Sequence, residues 1–347
     1  MKRPLRLSQI IFHPSMLAVL SGLIGAIIGF LINLVSGGNA TQTVWVALTL
    51  AILTSLGISA WQVFTQERSS EQYTMMMQEL IFQTYYLTVL ADNPEISRMA
   101  RQRLGQVLKS LSNEQQISML KFFSSNGFPA QFVGDALKGS NALSGADLRG
   151  VALPQIQLQE ADLSRINFSS ANLSEAHLEG SWMINANLSG ANLRQSYLVK
   201  TSLLSADLRQ ANLSEAHMHQ AGFMKAKLGG AAFHRSDLTG ALLEEADLKQ
   251  ADLTGADLTG AILNKADLGG ANLTNANLSG AYLNGADLNG ANLTNANLSG
   301  AYLNGADLKQ ADLTGAILDQ AYLDGADIHG AKVTQEQLDT GLSSPTL

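Results

Sequence analysis

The chain has 347 residues, 46% hydrophobic, 6% aromatic and 15% charged, with a net charge of −7 and no cysteine. Disulfides and thiolate metal sites are thereby excluded. Sparse aromatics beside abundant small residues, Leu and Asn fit a repetitive core better than a mixed globular one, and the length allows two or three structural units.

Charge is spread unevenly. Residues 1–140 carry ten Lys/Arg against seven Asp/Glu, and residues 141–335 carry twelve against twenty, so the basic end and the acidic body face different surroundings.

After a basic segment (1–15), two stretches without charge occur: "MLAVLSGLIGAIIGFLINLV" (16–35) and "VWVALTLAILTSLGISAWQVF" (44–64). At about 1.5 Å per residue each forms a helix of roughly 30 Å, the thickness of a hydrocarbon core. The short uncharged link between them predicts a transmembrane helical hairpin. Lys2, Arg3 and Arg6 precede the first span and Arg68 follows the second. Basic residues favour the cytoplasmic side, which places both termini and everything after the hairpin there. A cleaved signal peptide is the rival reading of the first span. The length of that span, the missing cleavage site and the second span directly after it argue against cleavage. Gly22, Gly25 and Gly29 share one side of the first span and predict close helix packing, against the second span or another copy.

Residues 65–140 read as a helical connector. Tyr73, Met77, Leu80, Thr84 and Leu87 alternate spacings of four and three, as a helix seam does. Asn93-Pro94 restarts a helix, and Ser112 with Gln115 forms a capping box for another that Gly127 and Pro129 stop. The apolar segment around Phe128, Phe132, Val133 and Leu137 is placed to cover the open end of the repetitive region beginning at 141.

From 141 to 335 a five-residue frame runs through 39 units without insertion, and an eighteen-residue stretch starting at Ala271 recurs unchanged at Ala291. The first residue of a unit is usually Ala, the third Leu, the second often Asp or Asn, and the fifth often Gly. A period of five suits neither a helix nor a flat strand, but a chain that turns a corner in every unit. Ala and Leu then point inward, and Gly or Asn at the fifth position supplies the positive φ of a type II turn. Four corners close a coil of twenty residues. Nearly ten coils at about 4.8 Å each predict a rod of roughly 45 Å, with a cap or tail at 336–347.

"ADLTGADLTG", "ANLTNANLSG" and "AYLNGADLKQ" resemble the A(D/N)LXX pattern of the pentapeptide-repeat family. The resemblance implies a mostly β fold, a right-handed quadrilateral β-helix, here preceded by the connector and two spans as in membrane-anchored members. It also implies a short terminal helix capped by Thr334, and a cyanobacterial or other bacterial source. The best understood members mimic DNA and bind topoisomerases.

With a twenty-residue coil, second-position side chains stack in columns. One runs Leu242, Ile262, Tyr282, Tyr302, Tyr322, and reads equally as a stabilising ring ladder or as a docking stripe. The next runs Asp247, Asp267, Asp287, Asp307, Asp327. Like charges 4.8 Å apart in water cost on the order of 0.9 kcal/mol per neighbour before screening, so a cation, a basic partner or backbone N–H groups must offset them. Ordinary solvent-facing residues are the preferred reading of this column over an ion site or a DNA-mimicking face. His177 and His217 share a column two coils apart, too far to share a metal. No ligand cluster, phosphate-binding loop or nucleophile motif occurs, so neither catalysis nor a cofactor nor a metal is expected.

The sequence therefore predicts a non-enzymatic, membrane-anchored scaffold whose flat faces bind protein. Its expected partners are the lipid bilayer, a protein and a further copy of itself, and not nucleic acid. The alternative is an acidic DNA mimic that binds a topoisomerase.

Overall fold

A chain that turns every five residues must find partners for five backbone N–H groups in each unit. The computed structural model, which describes residues 108, 111–125, 137 and 141–341, shows where they go. The chain divides into two compact units, 1–73 and 74–347, and all described residues belong to the second. The spans 16–35 and 44–64, Gly22, Gly25, Gly29 and the seam from Tyr73 to Leu87 lie outside the described residues. Among the described residues no helix is long and apolar enough to cross a membrane.

Thirty-four parallel bridges, from Asp147 to Lys332, each join residues twenty apart, so the coil length never varies along the solenoid. The unit 266–270 shows the full accounting. Ala266 N–H closes the turn on Leu263 O (3.0 Å), and Asp267 N–H donates to Ala246 O on the coil below (2.9 Å). Leu268 and Gly270 donate to Asp287 O (2.7 Å) and Asn289 O (2.9 Å) on the coil above. The fourth residue, Gly269, has no ladder partner, and its N–H donates to Oδ1 of Asp267 at 3.2 Å. Asp and Asn dominate the second position because their short side chains reach the N–H two residues on. The same bond recurs from Ser164 to Thr314 and His329, as at Ser174, Thr239, Thr259 and Ser299.

Every fifth residue from Gly145 to Gly330 has positive φ, as the turn requires, yet twenty-one of these corners are not Gly. Gln155, Lys200 and Arg235 sit at φ 58, 57 and 54. Where the sequence leads one to expect Gly or Asn, the structure tolerates almost any residue. The fifth N–H is already fixed by the ladder, which holds a conformation costing roughly 1 kcal/mol without Gly.

Ala at the first position and Leu at the third are buried from Leu143 to Ala326. Phe168, Phe223 and Phe233 replace Leu at full burial, the last two meeting edge to face at 6.4 Å and 85°. Ser or Thr replaces Ala at four buried positions. Ser196, Thr201 and Ser236 donate their hydroxyls to Leu193, Leu178 and Phe233 carbonyls, whereas Ser181 Oγ has no hydrogen-bond partner.

Both ends of the described solenoid are covered. Helix α1 (Asn113–Ser125) starts from the expected capping box: Ser112 N–H donates to Gln115 Oε1 (2.9 Å) and Gln115 N–H to Ser112 Oγ (3.4 Å). Gln116 of α1 donates to Leu108 O and to Ala142 O at the entry of the first coil, while Leu108, Met119, Leu120 and Leu137 are buried. Phe128, Phe132 and Val133 lie outside the described residues. At the other end α2 (Gln335–Asp339) is capped by Thr334 in a capping box with Gln337, whose amide also donates to Leu313 O and Ala316 O, both at 2.8 Å.

Two substitutions test this accounting. Gly290 has φ +66 and open space around its Cβ direction, so Gly290→Ala costs only the left-handed conformation, about 1 kcal/mol. Ser181→Ala removes a buried hydroxyl without a partner and stabilises by about 1 kcal/mol. Urea midpoints of the two variants move in opposite directions.

Candidate interaction faces of the solenoid

The backbone scheme fixes which side chains are spare. An Asp or Asn at the second position serves the fold, so a run of other residues there has another basis. On one face that run spans eight consecutive coils: Trp182, Ser202, Gly222, Leu242, Ile262, Tyr282, Tyr302, Tyr322. The fourth-position N–H groups of Leu204 and Met224 consequently have no side-chain acceptor among the described residues. Among these coils Asn284 regains a partner: Asn264 Oδ1 accepts from its N–H and Nδ2, both at 3.1 Å, and Asn304 Nδ2 donates to Asn284 Oδ1 in turn (3.1 Å).

Tyr282, Tyr302 and Tyr322 stack at 4.8 and 4.7 Å with ring planes 2° apart. Their flat sides are used on one another and their edges face out; Tyr282 remains 41% exposed. The stripe is thus both a ring ladder and an open surface. It extends further than its sequence column shows. Trp182 is 52% exposed, and Leu204 and Met224, from the fourth position, are exposed beside Ser202 and Gly222. The apolar face therefore runs from Trp182 to Tyr322, about 34 Å at 4.8 Å per coil. Reading second positions alone hides the lower half, because the apolar residues move to the fourth position where the second becomes small.

The acidic column is compensated from within. All five carboxylates accept a backbone N–H: Asp247 from Lys249, Asp267 from Gly269, Asp287 from Asn289, Asp307 from Lys309 and Asp327 from His329, at 2.9–3.2 Å. Lys249 also pairs with Asp267, and Lys309 bridges Asp307 and Asp327 at 3.0 Å each. His329 foremost, then Lys309, hold the Asp327 carboxyl well below the usual carboxylate range, while Asp327 and then Asp307 raise the Lys309 ammonium. Lys227 stands in the column between Asp207 and Asp247.

His177 and His217 are separated by Tyr197, which stacks on both at 4.5 and 4.9 Å. Beside the three rings lies a groove of about 750 Å³, bordered by Gln155, Glu175, Gln195, Glu215 and Arg235. Arg194 and Gln195 hydrogen-bond Glu215 and lower its carboxyl. Among the described residues no group of side chains could hold a metal ion. The sequence column contains this ring stack, but spacing alone only sets the histidines too far apart to share a metal and passes over the tyrosine between them.

Residues 143–335 match the family model for pentapeptide repeats in overlapping stretches. Similar solved structures include HetL, a pentapeptide repeat protein involved in heterocyst differentiation regulation from the cyanobacterium Nostoc sp. strain PCC 7120. The match has 35% identity and a TM-score of 0.45, covering 56% of this chain and 90% of that one. Full-length QnrB1, a plasmid-mediated fluoroquinolone resistance protein, matches at 19% identity and a TM-score of 0.27, over 56% and 93% of the two chains. Rfr23 from the cyanobacterium Cyanothece 51142 matches at 38% identity and a TM-score of 0.17, over 31% and 64%. No curated protein matches. The chain belongs to the pentapeptide-repeat family, and its solenoid is the family's right-handed β-helix.

Charge pairing at the rod surface can be tested by titration. Lys332 Nζ lies 2.7 Å from Asp312 and, with the Thr314 hydroxyl and N–H, lowers that carboxyl from 3.8 to about 2. A folded pKa below the unfolded one favours the folded state above the unfolded value, and this contribution fades as pH falls from about 4 to 2. NMR titration should show Asp312 ionising near 2, and in Lys332→Ala partway back toward 3.8.

Proposed function

We propose that this pentapeptide-repeat protein is a non-enzymatic interaction scaffold, which docks protein through the apolar face from Trp182 to Tyr322. One observation carries the reading: for eight consecutive coils this face gives up the Asp or Asn that completes the backbone accounting elsewhere. Local rules abandoned along one face, with large apolar groups in their place, are the mark of a surface kept for binding. Proteins seldom leave a continuous apolar strip open to water.

The finer part of the proposal is attachment. The uncharged stretches 16–35 and 44–64 and the basic residues around them support a membrane hairpin, with the β-helix on the cytoplasmic side. In that arrangement the rod is a spacer and display surface beside the bilayer. The competing reading, an acidic DNA mimic for a topoisomerase, draws on the Asp column. Lys227, Lys249 and Lys309 interrupt or neutralise that column, which gives the apolar face the better claim.

The test is retention of protein from detergent-solubilised native membranes on the full-length chain, beside a Tyr282/Tyr302/Tyr322→Ser variant. We expect a binding protein held by the first and reduced at least tenfold on the second. Equal retention by both would remove the apolar face from the proposal. Inhibition of a supercoiling enzyme by the chain would favour the mimic.

A further inference from the structure

The apolar face has relief, and its two halves are opposite in kind. In the lower half the centre is small, Ser202 and Gly222, between the larger Leu204 and Met224 on one side and Lys200 and Gln220 on the other. Trp182 and Leu242 close this trough at its ends. In the upper half the centre is large, Ile262, Tyr282 and Tyr302, flanked by Gly260, Gly280 and Gly300 on one side and by the smaller Asn264, Asn284 and Asn304 on the other. That half is a ridge.

Gly222 is not demanded by its own backbone. Its φ is outside the left-handed range, and a Cβ there would meet nothing closer than Thr201 O at 3.9 Å and Ser202 Cα at 4.0 Å, ordinary contact distances. A glycine that a strand position does not need marks a place where something approaches the backbone closely.

We infer that the occupant of this face is a second copy of the chain, packed antiparallel about a two-fold axis through Leu242. The inference rests on the docking reading above and names the partner. Gly222 lies one coil below Leu242 and Ile262 one coil above; Ser202 and Tyr282 lie two below and two above. The two-fold therefore sets Ile262 over Gly222, Tyr282 over Ser202 and Tyr302 against Trp182. The bulky corners Gln220 and Lys200 fall on Gly260 and Gly280 of the other copy. Ile262 and Tyr282 of each copy enter the trough of the other, while Leu242 meets itself and Tyr302 meets Trp182 in apolar contact, so the same patch serves both partners as an isologous interface needs.

Charge permits the approach. The register sets Lys225 against Lys265 of the other copy and Glu244 and Glu245 against their own counterparts, but two lysines and two glutamates per copy leave the patch neutral, and Lys225 is already held by Glu245 at 3.5 Å within its own chain. The face next along the chain presents the Asp column, and pairing through it would set like charges together. A face about 34 Å long and about 16 Å wide, five residues at about 3.3 Å each, buries roughly 1,000 Å² in the pair. That is the lower bound of a specific interface, so the dimer is reversible.

The chain has no cysteine, so single introduced thiols report contacts in the full-length protein without background. Leu242→Cys, on the axis, should form a disulfide-linked dimer under mild oxidation at least tenfold faster than Asn277→Cys on another face. Tyr322→Cys should not cross-link to itself, but should do so to Asp162→Cys in a mixed sample, the pairing that only the antiparallel register makes. Gly222→Trp added to Leu242→Cys should fill the trough and reduce the cross-link at least tenfold, with circular dichroism showing the β-helix retained. Self-cross-linking of Tyr322→Cys at the rate of Leu242→Cys would mean a parallel pair and overturn the inference. A folded Leu242→Cys chain that stays monomeric would also overturn it. In that case loss of a membrane protein from the Tyr→Ser variant would leave the docking reading standing, and equal retention by both baits would remove that reading too.

Discussion

Everything in this solenoid depends on where the fourth N–H of each unit goes. Three of the five N–H groups enter the ladder between coils and one closes the turn. The fourth points along the surface, and the Asp or Asn two residues earlier accepts it. An unpaired group at every corner would cost free energy throughout the rod, so this side-chain bond repeats with the coil. The Asp column gains from the same bond. Carboxylates that would repel one another at about 4.8 Å in water are each held by a backbone dipole, and several by a lysine.

That accounting also separates structural side chains from spare ones. The inner Ala and Leu are fixed by space, the corners by φ, and most second positions by the fourth N–H. What remains free is the choice to depart from Asp or Asn. On the face from Trp182 to Tyr322 the chain departs from them in every coil, and on the ring-stack face from Gln157 to His217 in four. Elsewhere departures are isolated, as at Lys227 and Ala232. Concentration of departures on one face is a stronger pointer to binding than the hydrophobicity of any one tyrosine.

The five-residue period makes the coil, the inward Ala and Leu and the stacked Tyr column legible from sequence, because each derives from spacing alone. Ser112 and Thr334 are legible as helix caps for a local reason: both partners of a capping box lie within three residues. The lower half of the apolar face is not, since Leu204 and Met224 sit in a different position of the frame and join Trp182 only once coils are stacked. Nor is the tolerance of corners such as Gln155 and Arg235, where a rigid ladder overrides an intrinsic preference for Gly. The accommodating space at Gly222 is likewise a property of its neighbours, and invisible in a repeat where Gly occurs at many corners.

The two ends carry a consequence of their own. Coils so alike that one is copied outright present the same hydrogen-bonding edge wherever the rod stops, and a bare edge is a template on which another rod could grow. At one end Gln337 takes the Leu313 and Ala316 carbonyls, and at the other Gln116 reaches Ala142. These two glutamines act as terminators. They occupy carbonyls at the ends of the stack that a further coil would otherwise use, so end-to-end growth of a sequence built for stacking is disfavoured at both places.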